Sequence, residues 1–276
     1  MIRIGKYNDL TILRMSPHGA YLGKEENEDS VLLPNSQLND DSKIGDTVRV
    51  FIYKDSQDRT IATKKTPYAI AGELAYLKVS QITKIGAFLD WGLEKDLLLP
   101  LKEQKYKIQE GHSYLVYIYV DKSNRLCATT SISDYLLDES NYEKNDFVNG
   151  TVYRVNPEMG AFIAVDDKYF GLIPQNELFK KMYPGDKIEA RVIRVREDGK
   201  LDLSPRMLAH EQMDKDAELI LKLLEANDGY LDLHDKSDPE EIKRRLQLSK
   251  NAFKKAIGRL FKERKISIEE NGIKLK

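Results

Sequence analysis

The sequence predicts a mainly β protein with a C-terminal α+β domain: three small, closed, five-stranded barrels in tandem, then a domain rich in helix. Three features lead there. A motif of glycine corner, apolar strand, proline and second glycine recurs three times in the first 206 residues. Inside each copy apolar and polar residues alternate, the period of a half-buried strand. From His210 onward the apolar residues recur at helical spacing instead.

The third copy is the clearest. Residues 150–204 open on Gly150-Thr151-Val152, turn at Gly160-Ala161-Phe162-Ile163, run through Gly171-Leu172-Ile173-Pro174, restart at Gly185-Asp186 and close on Leu201-Asp202-Leu203-Ser204. Five short strands with glycine at the corners, in about 55 residues, suit a small closed barrel. The corner recurs as Gly19-Ala20-Tyr21-Leu22 and Gly86-Ala87-Phe88-Leu89, and the proline-ending run as Leu32-Leu33-Pro34 and Leu98-Leu99-Pro100. Gly45, Gly111 and Gly185 each stand eleven residues after their proline. Self-similarity at this period fixes architecture before any other feature does. The expected boundaries are 1–65, 66–135 and 146–206 for the barrels and 210–276 for the last domain.

Taken in order, the first module carries an acidic run at 25–29 where a strand–strand loop belongs. On its fourth strand Val48, Val50 and Ile52 alternate with Arg49, Phe51 and Tyr53, so both faces hold large side chains. Phe51 reads as core. Packing between modules is at least as good a reading as base stacking for Tyr53, Tyr117 and Tyr119. Pro67 ends the module, because proline disfavours a continued strand. The polar stretch 131–146, around Tyr135-Leu136-Leu137, is either a connector or a helical turn capping the second barrel. Beyond His210, Ala217, Ile220, Leu221 and Leu224 define one helix ending at Asn227-Asp228-Gly229, with a short strand at Tyr230-Leu231-Asp232-Leu233. Asp238-Pro239-Glu240-Glu241 starts a second helix with an acidic cap and proline in its first turn. Ser249 caps a third, with Phe253, Ala256, Ile257, Leu260 and Phe261 inward and Asn251, Lys255, Gly258, Arg259 and Lys262 outward. Asn271-Gly272 predicts a closing hairpin. Helix, strand, helix, helix, hairpin is the order of a winged helix.

The repeated module resembles the OB-fold RNA-binding domain named after ribosomal protein S-one, through its Gly-Ala-aromatic corner, the Gly171-Leu172-Ile173 strand, the Gly185-Asp186 restart and the Leu203-Ser204 close. That resemblance implies OB-type barrels whose RNA-facing side chains are Tyr21, Phe88 and Phe162 at the corners, His18 before the first corner, and Arg59, Arg125 and Lys200 before the closing strands. The acidic position of the family is Asp55 and Asp121, replaced by Arg196 in the third copy. The family's histidine is replaced by Pro34, Pro100 and Pro174. On the residues alone two readings of Phe88 and Phe162 stand: stacking platforms for bases, or filling for the barrel interior.

Overall charge decides little, with 44 basic against 45 acidic residues. Its distribution says more. Residues 243–265 hold ten basic side chains and one acid, whereas 210–242 hold eleven acids and three lysines. Such polarity points a basic face, with Lys255, Arg259 and Lys262 on the third helix, at phosphates. Arg194, Arg196 and Lys200 add cations in the third barrel, and one continuous strip shared by that barrel and the last domain is the expectation. Three S-one-like modules and a winged helix in this length resemble the conserved virulence factor B family of bacteria. The resemblance implies a non-enzymatic, RNA-binding regulator of gene expression; single-stranded RNA is the expected partner and the cytoplasm the expected location. Two rivals are a DNA-binding transcription regulator acting on duplex DNA, and a protein scaffold docking on the ribosome or RNA polymerase. His18, His112, His210 and His234 have no ligand-like spacing, no phosphate-cradling glycine loop is present, and neither catalytic residue, metal nor cofactor is expected. A lone cysteine, Cys127, reads as a small buried residue in a reducing compartment. No apolar window reaches membrane-spanning length.

Overall fold

The structure, a computed structural model, describes residues 2–24, 30–205 and 209–276, so the acidic run at 25–29 lies outside the described residues. The chain divides into two compact units, Met1–Pro205 and Arg206–Lys276. Within the first, β1 (Tyr7–Ser16), β2 (Gly19–Gly23), β3 (Val31–Pro34), β4 (Thr47–Lys54) and β5 (Thr60–Thr63) close in the order β1-β2-β3-β5-β4. The second barrel repeats this with β6 (Leu74–Thr83), β7 (Gly86–Asp90), β8 (Leu97–Pro100), β9 (Ser113–Val120) and β10 (Leu126–Thr129). The third uses β11 (Phe147–Asn156), β12 (Gly160–Val165), β13 (Tyr169–Pro174), β14 (Lys187–Val195) and β15 (Leu201–Ser204). All strand pairs are antiparallel except the third with the fifth in each barrel, which is parallel and completes the closure.

The recurring glycines and prolines have separate structural tasks. Each corner glycine sits opposite its proline across the second and third strands: Gly19 with Pro34, Gly86 with Pro100, Gly160 with Pro174. There the two backbones approach so closely that a Cβ on Gly86 would lie 2.3 Å from the Leu99 carbonyl oxygen. The eleventh residue after the proline docks on the first strand at its bulge. Gly45, Gly111 and Gly185 donate their amides to the carbonyls of Ile12, Val79 and Val152 at 2.9, 3.0 and 2.8 Å. Each then has positive φ, +97°, +79° and +98°, which glycine adopts at no steric cost. The constant interval in sequence is thus the length needed to return from the third strand to the bulge of the first.

Barrels of this size bury a modest core, and neighbours share their surfaces. Phe51 and Tyr53 of β4 pack with Trp91 of the second barrel in one cluster that includes Leu77, Val79, Leu89 and Val116. The Phe51 and Trp91 rings meet edge to face at 5.7 Å, an arrangement aromatic quadrupoles favour. The stretch after β10 is both of the things its sequence allowed. Tyr135, in a single 3₁₀ turn, stacks on Tyr117 at 3.5 Å. Leu137 then bridges to Tyr169 beside β13, and Ile132 and Leu136 are buried with Phe162 and Leu172 of the third barrel.

The second unit consists of α1 (Ala209–Ala226), β16 (Tyr230–Leu231), α2 (Pro239–Leu246), α3 (Lys250–Lys262), β17 (Ile266–Glu269) and β18 (Gly272–Leu275), with sheet order β16-β18-β17. This is a winged helix. The Asp238 carboxylate accepts from the Glu240 and Glu241 amides, and the Ser249 hydroxyl from Ala252 N–H, so both caps form as predicted. One expectation is corrected, and the predicted hairpin forms with its turn one residue earlier than the Asn-Gly pair. Phe261 is 51% exposed, because the core stripe of α3 ends at Leu260 and Ile266 of β17 joins the core next along the chain. The hairpin pairs Glu269 with Gly272, so its turn is Glu270-Asn271 and Gly272 is a strand residue. A Cβ at Gly272 would lie 2.3 Å from the Leu231 carbonyl oxygen, which explains the glycine without a turn.

The two classes of repeat glycine predict different sensitivities in one barrel. Gly111→Ala adds only the strain of positive φ, about 1–2 kcal/mol, since its Cβ would meet nothing within 4 Å. Gly86→Ala adds a backbone clash of about 1–3 kcal/mol more. Urea unfolding followed by Trp91 emission should give the lower midpoint for Gly86→Ala; equal midpoints would contradict the close-approach account.

Candidate nucleic-acid interface

Strand register lays an equivalent row of outward side chains across each barrel. In the first, Arg14 faces Tyr21, Tyr21 faces Leu32, Leu32 faces Ile61 and Ile61 faces Tyr53. The second row is Gln81, Phe88, Leu98, Cys127 and Tyr119. The third is Arg154, Phe162, Leu172, Asp202 and Arg194. All three corner aromatics therefore point off the barrel, and none fills a barrel interior. The interior positions go to their neighbours, Ala20 and Leu22, Ala87 and Leu89, Ala161 and Ile163.

What lies over each row differs. On the first barrel the Arg14 guanidinium sits 3.6 Å above the half-buried Tyr21 ring, and His18 is exposed beside the corner. On the second, Phe88 is half-buried and lines a cleft of about 270 Å³ together with Trp91, Leu97, Leu98, Cys127 and Arg125. Lys54 at the end of β4, with Ser56 and Asp58 from the turn that follows it in the first barrel, forms the facing wall. On the third, Phe162 is only 7% exposed, tilted against Tyr153, edge to face with Phe170 and covered by Arg154 at 4.9 Å. The connector's Ile132 and Leu136 occupy the same cluster and leave little of that ring open.

The cations before the closing strands are all engaged. Asp55 and Asp121 hold their own turns: the Asp55 carboxylate accepts from the Gln57 and Arg59 amides, that of Asp121 from Ser123 and Arg125. Arg59 adds a fork to Asp55 at 2.9 and 2.7 Å, which lowers the Asp55 pKa against the opposing effect of burial. Arg125 reaches across the barrel boundary and grips Asp58 at 2.9 Å through both Nε and Nη2. In the third barrel Arg196 gives up the turn-capping part and donates to Asp202 on the closing strand at 2.9 and 2.6 Å. Arg194, 69% exposed, approaches Asp202 at 3.6 Å. Lys200 lies between Asp198 and Asp138, at 3.1 and 3.6 Å, with its ammonium 5.3 Å from the Phe170 ring.

In the winged helix, Lys255 and Lys262 are exposed on α3 and form no ion pair among the described residues. Arg259, between them in helical spacing, pairs with Glu263 at 2.9 Å. Sequence reasoning missed Arg14, Arg154, Lys54 and Lys95. The first two stand opposite the corner ring in register, a signal readable only once the bulge in the first strand is counted. The latter two matter only because one barrel faces the next. No cluster of three or more His, Cys, Asp or Glu side chains suited to a metal ion occurs among the described residues.

An array of three OB-type barrels whose corner aromatics point off the barrel, joined to a winged helix with a cationic third helix, defines a multidomain protein of nucleic-acid-binding modules. Residues 4–65 and 71–131 match the S1 domain family. Residues 134–207 match "Virulence regulatory factor CvfB, second domain", and 218–275 the CvfB-like winged helix domain. The uncharacterized protein YitL of Bacillus subtilis is 34% identical, covering 98% of this chain and 93% of its own. Conserved virulence factor B of Staphylococcus epidermidis is 31% identical, covering 92% and 89%. A crystallised multidomain protein with nucleic acid binding domains from Streptococcus pneumoniae aligns over 99% of this chain and 98% of its own, with 26% identity and a TM-score of 0.54. The chain belongs to the conserved virulence factor B family. Among the described residues no helix is long and apolar enough to cross a membrane.

The row position of Cys127 is testable. Burial, then the Asp121 carboxylate with its oxygen 3.9 Å from the sulfur, pushes the thiol up to about 11. At pH 8 the nucleophilic thiolate is then scarce. A disulfide reagent should label Cys127 at least about tenfold more slowly in the native chain than in urea; equal rates would contradict the closed environment.

Proposed function

We propose that this chain is a non-catalytic, cytoplasmic regulator that binds single-stranded RNA and acts on gene expression after transcription. The observation that carries the reading is the off-barrel direction of Tyr21 and Phe88, each half-open and each with guanidinium groups beside it. Flat rings that accept any base face, with cations for the phosphates, are what an unpaired strand requires, and stacking contributes about 1–3 kcal/mol per base. The exposed Lys255 and Lys262 add sequence-independent attraction to phosphate. Names among the relatives support a regulatory role: the matched family is described as a virulence regulatory factor.

One observation favours a second reading. Lys255, Arg259 and Lys262 form a stripe on α3, the helix that such motifs place in the major groove of duplex DNA. Competition between an unstructured single-stranded RNA and duplex DNA, at one fixed salt concentration, separates the two. We expect the RNA to displace the duplex, and its affinity to fall steeply as salt rises. Preference for the duplex would replace the RNA reading with the DNA one.

A further inference from the structure

The cleft between the first and second barrels holds an internal ion pair where a phosphate would fit. Its floor is apolar: Phe88, Trp91, Leu97, Leu98 and Cys127. Its rim carries three cations, Lys54, Lys95 and Arg125. Two of them are tied to the opposite barrel by backbone oxygens, Lys54 to Ser123 at 3.2 Å and Lys95 to Asp55 at 2.7 Å. Those contacts leave each ammonium with further donors. Arg125 is different, because its planar fork is matched by both oxygens of Asp58 at 2.9 Å each. A carboxylate gripped bidentately by arginine has the geometry that a phosphodiester also presents.

We propose that Asp58 of the first barrel is an in-chain competitor for RNA phosphate at Arg125, so that the first barrel regulates how readily the cleft of the second takes a nucleotide of single-stranded RNA. The inference rests on the RNA-binding reading of Phe88 and Arg125 and adds to it the cross-barrel carboxylate that a phosphate must displace.

The exchange conserves charge at each step. Arg125 gives up the Asp58 carboxylate and receives a phosphate oxygen pair. Asp58 turns to solvent, where it is already 42% exposed, and keeps the Lys54 ammonium, now 3.6 Å away. With Arg125 at 55% exposure the internal pair is weakly held, whereas an RNA phosphate arrives with counterion release in its favour. The volume of about 270 Å³ lies just below the usual range of ligand pockets, a fit for one base rather than a stack. Asp58 thus acts as an in-chain competitor, and the first barrel, whose own β4 aromatics are sealed against Trp91, sets how readily the second barrel takes RNA.

Trp91 is the one tryptophan of the chain and lies in the cleft floor, so its emission reports occupancy. Full-length protein would be titrated in low salt with oligouridylate of about 12 nucleotides, a probe with little structure of its own. Overall association would be followed in parallel by anisotropy of the same RNA carrying a dye. The wild-type chain should show a saturable change in Trp91 emission that tracks the anisotropy. Asp58→Asn should lower the half-saturation point by about threefold or more, since it removes the charge and one of the two acceptors that hold Arg125 without changing side-chain size. Arg125→Ala should raise it, and adding Asp58→Asn to Arg125→Ala should then change nothing. A gain of affinity cannot come from misfolding, so the Asp58→Asn result stands whatever Arg125→Ala does to stability. RNA binding by anisotropy with a silent Trp91 overturns the site and leaves the RNA reading intact. The same holds if Asp58→Asn has no effect, or tightens binding equally without Arg125. Absence of any association, even for Asp58→Asn, overturns both.

Discussion

Burial of aromatic side chains between successive barrels is the constraint from which the rest follows. A barrel of five short strands leaves its fourth strand with large side chains on both faces, and the outer ones must be covered. Phe51 and Tyr53 meet Trp91 of the next barrel, and Tyr117 meets Tyr135 of the following connector. The three barrels therefore form one compact unit. Their seams decide which parts of each outward row remain available, so three copies of one motif carry three different surfaces.

That division of surface explains the unequal chemistry. The first barrel keeps an Arg14–Tyr21 stack beside an exposed His18. The second keeps Phe88, but inside a cleft walled by its neighbour. The third loses Phe162 and Leu172 to the connector and replaces the closing-strand apolar residue with Asp202, which gathers Arg194 and Arg196. Cations that look free in sequence are mostly held by carboxylates. Such pairs lie at the surface, where they are weak and open to exchange with phosphate.

Much of the fold was legible. The equal spacing of proline and second glycine found three barrels, because that spacing is set by a backbone hydrogen bond to the bulge at Ile12, Val79 and Val152. The caps at Asp238 and Ser249 placed α2 and α3, since capping is local chemistry. Errors arose where tertiary contact overrides a local signal. Asn271-Gly272 reads as a turn, yet Gly272 is there for the close approach of Leu231. Phe261 continues the helical stripe past the end of the core it should join.

The candidate site was legible only in part, for the same reason. Alternation told that Phe88 and Phe162 occupy equivalent positions, and it could not tell what covers them. The partnership of Asp58 with Arg125 spans 67 residues and two barrels, and no periodicity reports it. Asp55 and Asp121 carry the family's acidic position, but in this structure they hold the turns that aim Arg59 and Arg125. Their contribution is one of positioning, which a motif match cannot distinguish from contact.

Which corner rings touch nucleic acid decides whether the three surfaces differ as their burial implies. Photocrosslinking the full chain to an RNA containing 4-thiouridine, followed by mass spectrometry of the adducts, reads this directly. Adducts at Tyr21 and Phe88 with none at Phe162 are the expected result. Crosslinking at Phe162, or a strand that touches neither open ring, would contradict it.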